Sequence, residues 1–386
     1  MKIVADRAIP FVKTLFSTLG NLTLLDGKQI TNSDLIDADA VVVRTVTRVT
    51  RKLLTGTRVR LVATATSGTD HIDSDYLQQS GIGLVHAPGC NARSVAEYVL
   101  GCLLVLAEQR QMDLFEKTVG IIGCGHVGQA LKQMLEAVGI RYLLNDPPLQ
   151  QRGSSLSFQP LEQLLEADII SLHVPLEKNG TYPTWHLLDR KRLARLNKDV
   201  ILINASRGGV IDETALSKFI DETPQASVVL DVWENEPDIN QALLQKVDIA
   251  TPHIAGYSAD AKLSGTLSIY RQTCRFFDVP VNELITPPLL APEPDRIQIS
   301  AYTGIRDAVQ MAVLASYDVR TDSGALRQIV HIRQQEREAW FSDLRDNYRV
   351  RREFPAMTIA VNGEFVPSEQ LVKLGFNVEK GLPVRP

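Results

Sequence analysis

The sequence predicts an α/β protein whose main sheets are parallel and doubly wound, with helices on both faces. Three observations carry this. Short apolar runs alternate with helical patterns over residues 1–91, and the alternation resumes over residues 119–250. The second stretch opens with a strand running into three glycines spaced G-x-G-x-x-G. At 386 residues the chain is long for one core and suggests two or three domains.

In the first part, residues 3–5, 22–25, 40–43, 61–65 and 84–86 read as strands, with helical patterns at 11–19 and 74–79. A long helix is expected over 92–110, capped by Asn91 and of a length that suits a crossing between domains. In the middle part, strands are expected at 119–122, 142–144, 169–174, 200–204, 227–231 and 248–250. Helices fall between them at 127–138, 161–166, 189–196, 213–221 and 241–245. Six strands with crossover helices match a doubly wound dinucleotide fold. A further helix, 259–277, could carry the chain back to the first domain, and the proline-rich stretch 285–294 marks a boundary. The last hundred residues are polar and charged at helical spacing, with strand-like runs such as 358–361.

The glycine triplet has a physical task at each position. Gly123 permits the tight turn off the strand, Gly125 lets a pyrophosphate approach the backbone, and Gly128 lets helix pack on strand. His126 and Val127 then open a helix whose free N–H groups and dipole favour an anion. Asp146 lies 18 residues after Gly128, close to the ~20 expected for the acid that binds the adenosine ribose, which favours NAD over NADP.

Composition narrows the rest. The chain is 44% hydrophobic and 22% charged, as in a water-soluble globular fold. A net charge of -4 gives no electrostatic footprint for nucleic acid or a membrane surface. The longest apolar run, 99–107, is too short to span a bilayer, and no signal peptide is read at the N-terminus. Cys90, Cys102, Cys124 and Cys274 show neither C-x-x-C nor metal-site spacing. The expectation is a cytoplasmic protein with reduced cysteines and no metal.

Three residues at strand ends could do chemistry: Arg207, Glu236 and His253. In open α/β sheets ligands bind beyond the carboxyl ends of the strands. A histidine can take the proton of an alcohol as hydride leaves its carbon, and a nearby carboxylate can fix its tautomer. An arginine fork can hold a substrate carboxylate through two parallel bonds. Each has a plainer reading: a surface ion pair, a solvated acid and a core histidine. Their joint occurrence after a dinucleotide motif favours the functional one.

Residues 65–73, 204–212, 230–237 and 251–257 resemble the signature blocks of the D-isomer-specific 2-hydroxyacid dehydrogenases, over about residues 1–280. The resemblance implies a catalytic set of Arg207, Glu236 and His253, with His253 the acid/base. It implies an NAD-binding Rossmann domain over 92–255 and a flavodoxin-like substrate domain built from 1–91 and 256–286. Residues 43–47, 87–91, 145–148 and 317–320 resemble a branch of that family acting on a phosphorylated 2-hydroxy acid on the route to pyridoxal 5'-phosphate. That likeness puts Asp146, Val174, Ala205, Ser206, Arg207, Asp231 and Gly256 at cofactor positions. It puts Thr45, Thr66 and Tyr257 at substrate positions, and makes 287–386 an α+β domain that forms a homodimer. Arg44, at a strand end, suits the substrate's phosphate, although a scaffold ion pair would also explain it. The basic run 348–352 reads as a solvated helix face rather than an arm into a neighbouring active site. The alternatives are a dehydrogenase of the 3-phosphoglycerate or glyoxylate type, or an NAD-sensing dimer without turnover.

Overall fold

In a computed structural model, which describes residues 1–285, 287–300, 303–362 and 368–380, the chain forms two compact units. One comprises Met1–Asn91 with Ser258–Leu290, the other Ala92–Tyr257 with Ala291–Pro386. Thr286, at the expected boundary, lies outside the described residues, as do the last residues of the chain.

The first unit is built on five parallel strands: β1 (Lys2–Asp6), β2 (Asn21–Leu25), β3 (Ala40–Val43), β4 (Leu61–Thr64) and β5 (Gly83–Val85). Their order is β2-β1-β3-β4-β5, the flavodoxin arrangement. All of β3 and β4 is buried, as continuous runs of Val, Leu and Ala in a two-sided parallel sheet require. The helix Ala259–Phe276 covers one face, setting Ile269, Tyr270 and Cys274 against Ile3, Val42 and Ala63.

The second unit holds six parallel strands: β6 (Thr118–Ile122), β7 (Arg141–Asn145), β8 (Ile169–Leu172), β9 (Ile201–Asn204), β10 (Ser227–Leu230) and β11 (Ile249–Ala250). Their order is β11-β10-β9-β8-β6-β7. The chain winds one way from β6 to β7 and the other way from β8 onward, so the switch point lies between β6 and β8. The helix Ala92–Arg110 begins where the chain leaves the first unit and belongs to this one. Its residues from Val95 to Leu106 are all buried, because all but Glu97, which accepts from Arg93 and the Phe354 N–H, present little or no charge on any face.

The C-terminal region adds a third parallel sheet, β12 (Arg296–Ser300), β13 (Thr358–Asn362) and β14 (Asn377–Lys380), with helices around it. Ile299, Val309, Val313 and Phe354 join the same apolar cluster as Val99, Leu103 and Leu135. The region therefore shares its core with the dinucleotide fold. Among the described residues no helix is long and apolar enough to cross a membrane, and no cluster of acids, histidines and cysteines is placed to hold a metal. Cys90, Cys102, Cys124 and Cys274 form no disulfide, and burial pushes the Cys124 thiol up to about 11.

Candidate active site

The glycine loop sits at the switch point. Gly123 has φ +91, and a Cβ there would lie 2.6 Å from the His173 carbonyl oxygen. A Cβ on Gly128 would lie 2.1 Å from the Gly123 carbonyl oxygen, so no side chain fits. At Gly125 a Cβ would meet nothing within 4 Å, which leaves room for a ligand against the backbone. Gly125 also precedes the helix His126–Val138 and offers no side chain to its first N–H groups, which are left for an anion. The Asp146 carboxylate accepts from the Cys124 and Leu149 N–H groups, each at 2.9 Å, and is thereby fixed beside the loop. Val174 packs against the Gly123 turn. These residues fit a dinucleotide with its pyrophosphate over Gly125 and its adenosine ribose toward Asp146.

Arg207, Glu236 and His253 follow the C-terminal ends of β9, β10 and β11, three neighbours in the sheet. His253 Nδ1 lies 2.7 Å from Glu236 Oε2, while Glu236 Oε1 accepts from the Trp233 N–H at 2.9 Å. Burial disfavours ionised Glu236, but His253, Arg345 and the Trp233 N–H outweigh it and hold the carboxyl below its ordinary value. An ionised carboxylate can only accept, so Nδ1 must carry the ring proton. In neutral His253 the lone pair is then on Nε2, which has no hydrogen-bond partner among the described residues.

The loop carrying His253 is held from beneath. Asp231 is buried, and its carboxylate accepts from the Thr251 hydroxyl and the Ile254 and Ala255 N–H groups at 2.7–3.0 Å. Its carbonyl accepts from the His253 N–H. This network maintains His253 at φ 58, a left-handed conformation unusual for a residue with a side chain. The Tyr98 hydroxyl meets that of Thr251 at 2.7 Å, and the Trp233 indole donates to the Thr251 carbonyl. Asn204 fixes the Ala205–Ser206–Arg207 turn, accepting from the Ser206 N–H and hydroxyl and donating to the Arg207 carbonyl. Arg207 Nη1 donates to the Ser206 carbonyl at 2.8 Å. Gly208 passes so close to the Trp233 carbonyl that a Cβ would overlap it, locking the Arg207 turn to the loop that carries Glu236.

The expectation of a solvated helix face at 348–352 is corrected by the structure. The segment is not helical, and Arg351 is fully buried. Its guanidinium donates to the Ala255 carbonyl at 3.0 Å and the Ser94 carbonyl at 2.7 Å, and lies 3.8 Å from the Tyr317 ring centroid. Tyr348 packs edge-on against Tyr257 and donates to Asp322. A count of charges along the sequence could not reveal these carbonyl acceptors, which come from distant elements. Sequence reasoning also passed over Arg345, whose Nη2 donates to the Tyr257 hydroxyl at 3.1 Å.

In the first unit, Arg44 and Thr45 follow β3, and Thr66 follows β4, the adjacent strand. Arg44 Nε pairs with the buried Asp6 carboxylate at 2.7 Å. Thr66 donates to the Gly68 carbonyl and meets the Thr64 hydroxyl, while Thr45 is exposed.

A family model described as D-isomer specific 2-hydroxyacid dehydrogenase, NAD binding domain, matches residues 105–255. A second, for a domain of unknown function, matches residues 289–375. Erythronate-4-phosphate dehydrogenases of Escherichia coli and of Shigella dysenteriae serotype 1 are each 44% identical to the chain, over 98% of both sequences. Among solved structures, the D-lactate dehydrogenase of Aquifex aeolicus with NAD and lactic acid matches at TM-score 0.60 and 26% identity, over 72% of this chain and 96% of that one. The NAD⁺-bound 3-phosphoglycerate dehydrogenase of Entamoeba histolytica matches at 0.62 and 25%, over 72% and 95%.

Proposed function

The chain belongs to the D-isomer-specific 2-hydroxyacid dehydrogenase family, and on that premise we propose that it oxidises 4-phospho-D-erythronate at C2 to 3-hydroxy-2-oxo-4-phosphooxybutanoate. NAD is the cofactor. The observation that carries the chemistry is the 2.7 Å pair of His253 and Glu236 at the strand ends of a dinucleotide fold. The likeness to erythronate-4-phosphate dehydrogenases over 98% of the chain carries the substrate.

Gly123, Gly125, His126, Val127 and Gly128 hold the pyrophosphate, and Asp146 the adenosine ribose. Val174, Ala205, Ser206, Arg207, Asp231 and Gly256 line the rest of the cofactor site. When bound, NAD supplies the acceptor for the hydride that leaves C2. His253 Nε2 takes the C2 hydroxyl proton. Glu236 keeps the ring in the tautomer able to do so and stabilises the imidazolium that results. Arg207 holds the substrate carboxylate and stabilises charge on the C2 oxygen. Arg44, Thr45, Thr66 and Tyr257 bind the remainder of the substrate. The enzyme acts in the cytoplasm on the route to pyridoxal 5'-phosphate, as a homodimer joined through the C-terminal region.

The test is product formation with NAD from 4-phospho-D-erythronate, D-3-phosphoglycerate and D-glycerate, identified by mass spectrometry, with an oxo-acid acceptor present to reoxidise tightly held NADH. Clear preference for 4-phospho-D-erythronate supports the proposal. Preference for another acid overturns the substrate and keeps the chemistry. No turnover of any would overturn this substrate assignment and favour the NAD-sensing alternative.

A further inference from the structure

Arg345 lies on the helix Arg337–Asp346, inside the region matched by the domain of unknown function. Its guanidinium stands 5.7 Å from the Tyr257 ring centroid, and Nη2 donates to the Tyr257 hydroxyl at 3.1 Å. Its Nε is sealed from solvent without an acceptor. Glu236, whose ionised form Arg345 favours, acts on it through space, but among the described residues no carboxylate forms an ion pair with it. Arg349 and Arg351, on the same stretch of chain, do have acidic neighbours: Asp322 for the first and Glu97 for the second.

Arg345 is only half-buried, and a guanidinium partly withdrawn from water with a neutral hydroxyl as its hydrogen-bond acceptor falls short of the pairing that folded proteins give such charges. The hydrogen bonds it leaves unmade suit an anion that arrives with the ligand. The planar fork of arginine suits phosphate oxygens. The substrate read for this site carries two anionic ends; Arg207 is assigned to the carboxylate, and Arg44, read for the phosphate, already commits its Nε to Asp6, so a second cation at the phosphate has a use.

We propose that Arg345 binds the substrate's phosphate, with Tyr257 holding its guanidinium in place. The proposal rests on the reading of the site as one for a phosphorylated 2-hydroxy acid. It gives the C-terminal region a part in substrate binding as well as in packing.

The experiment measures the Kd of inorganic phosphate for the enzyme–NADH complex by calorimetry, in the wild type, Arg345→Gln and Arg345→Lys. In parallel it measures KM for 4-phospho-D-erythronate and for D-erythronate. NADH binding, followed by fluorescence, reports that each variant is folded. The expected result for Arg345→Gln is a rise of about 10- to 100-fold in phosphate Kd and in KM for the phosphorylated acid, the size of one charge-assisted hydrogen bond, with KM for D-erythronate little changed. Arg345→Lys recovers part of the loss, since a point charge replaces the fork. An unchanged phosphate Kd in both variants overturns the proposal. So does an equal rise in KM for both acids, which would make Arg345 a support for Tyr257 alone. The phosphate titration needs no turnover, so it judges Arg345 even if the wild type proves to oxidise a different hydroxy acid.

Discussion

Replacing Glu236 by glutamine removes one charge and almost no volume. The carboxylate now makes two bonds, 2.7 Å to His253 Nδ1 and 2.9 Å to the Trp233 N–H. If the amide oxygen keeps the Trp233 bond, the amide NH₂ faces Nδ1 and donates to it, which drives the ring proton to Nε2 and blocks proton uptake there. If the amide flips, the Trp233 N–H faces a donor and loses its acceptor. Either arrangement forfeits a charge-assisted bond of about 1.5–3 kcal/mol, or roughly 10- to 100-fold in kcat, with a larger loss where the tautomer inverts. NAD affinity should not change. The assay is steady-state NADH formation from 4-phospho-D-erythronate across pH. Since the Glu236 carboxyl is held below 4.5 in the folded protein, its contribution is present throughout neutral pH and is lost only as pH falls through that depressed value. The gap between wild type and variant should therefore be flat at neutral pH and narrow only in acid. A kcat for Glu236→Gln within about two-fold of wild type at neutral pH would refute the reasoning.

His253→Ala should lower turnover by about 10²–10⁴-fold with NAD affinity intact, measured by single-turnover kinetics and NADH titration; near-normal turnover would remove the acid/base assignment. Gly128→Ala places a methyl 2.1 Å from the Gly123 carbonyl oxygen and should weaken NAD binding and lower the melting temperature together, read by calorimetry. Burial pushes the Glu213 carboxyl up to about 7, against the bond it receives from the Glu234 N–H. The folded state thus binds a proton that the unfolded chain releases, and stability should fall as pH rises from 4.5 to about 7. Glu213→Gln should flatten denaturant-measured stability over that window, removing a slope of at most about 1.4 kcal/mol per pH unit; an unchanged slope would place the titration elsewhere.

What could be read along the chain was whatever a local pattern encodes. The Ser74–Gln79 and Ala92–Arg110 helices and the Ala40–Val43 strand fall where periodicity puts them, because apolar spacing and turn residues suffice for such elements. The glycine loop was legible for the same reason, as spacing alone specifies its turn, open approach and packing. The His253–Glu236 contact was foreseeable only as residue types at strand ends, since the pairing depends on β10 and β11 lying side by side. The short helices Asn32–Leu35 and Arg51–Leu54 went unread because a single turn shows no period. The C-terminal region misled more deeply. Arg351 looks solvated by composition, yet its partners, Ala255 and Ser94, lie 96 and 257 residues away. Long-range packing of that kind leaves no trace in a local window.

The central claim is hydride transfer from C2, with the proton passing separately to His253. The most direct test supplies the enzyme with NAD and 4-phospho-D-erythronate deuterated at C2, then weighs the NADH by mass spectrometry. The account predicts NADH carrying one deuterium in place of hydrogen, and water left unlabelled. Unlabelled NADH, with deuterium released to water, would contradict it.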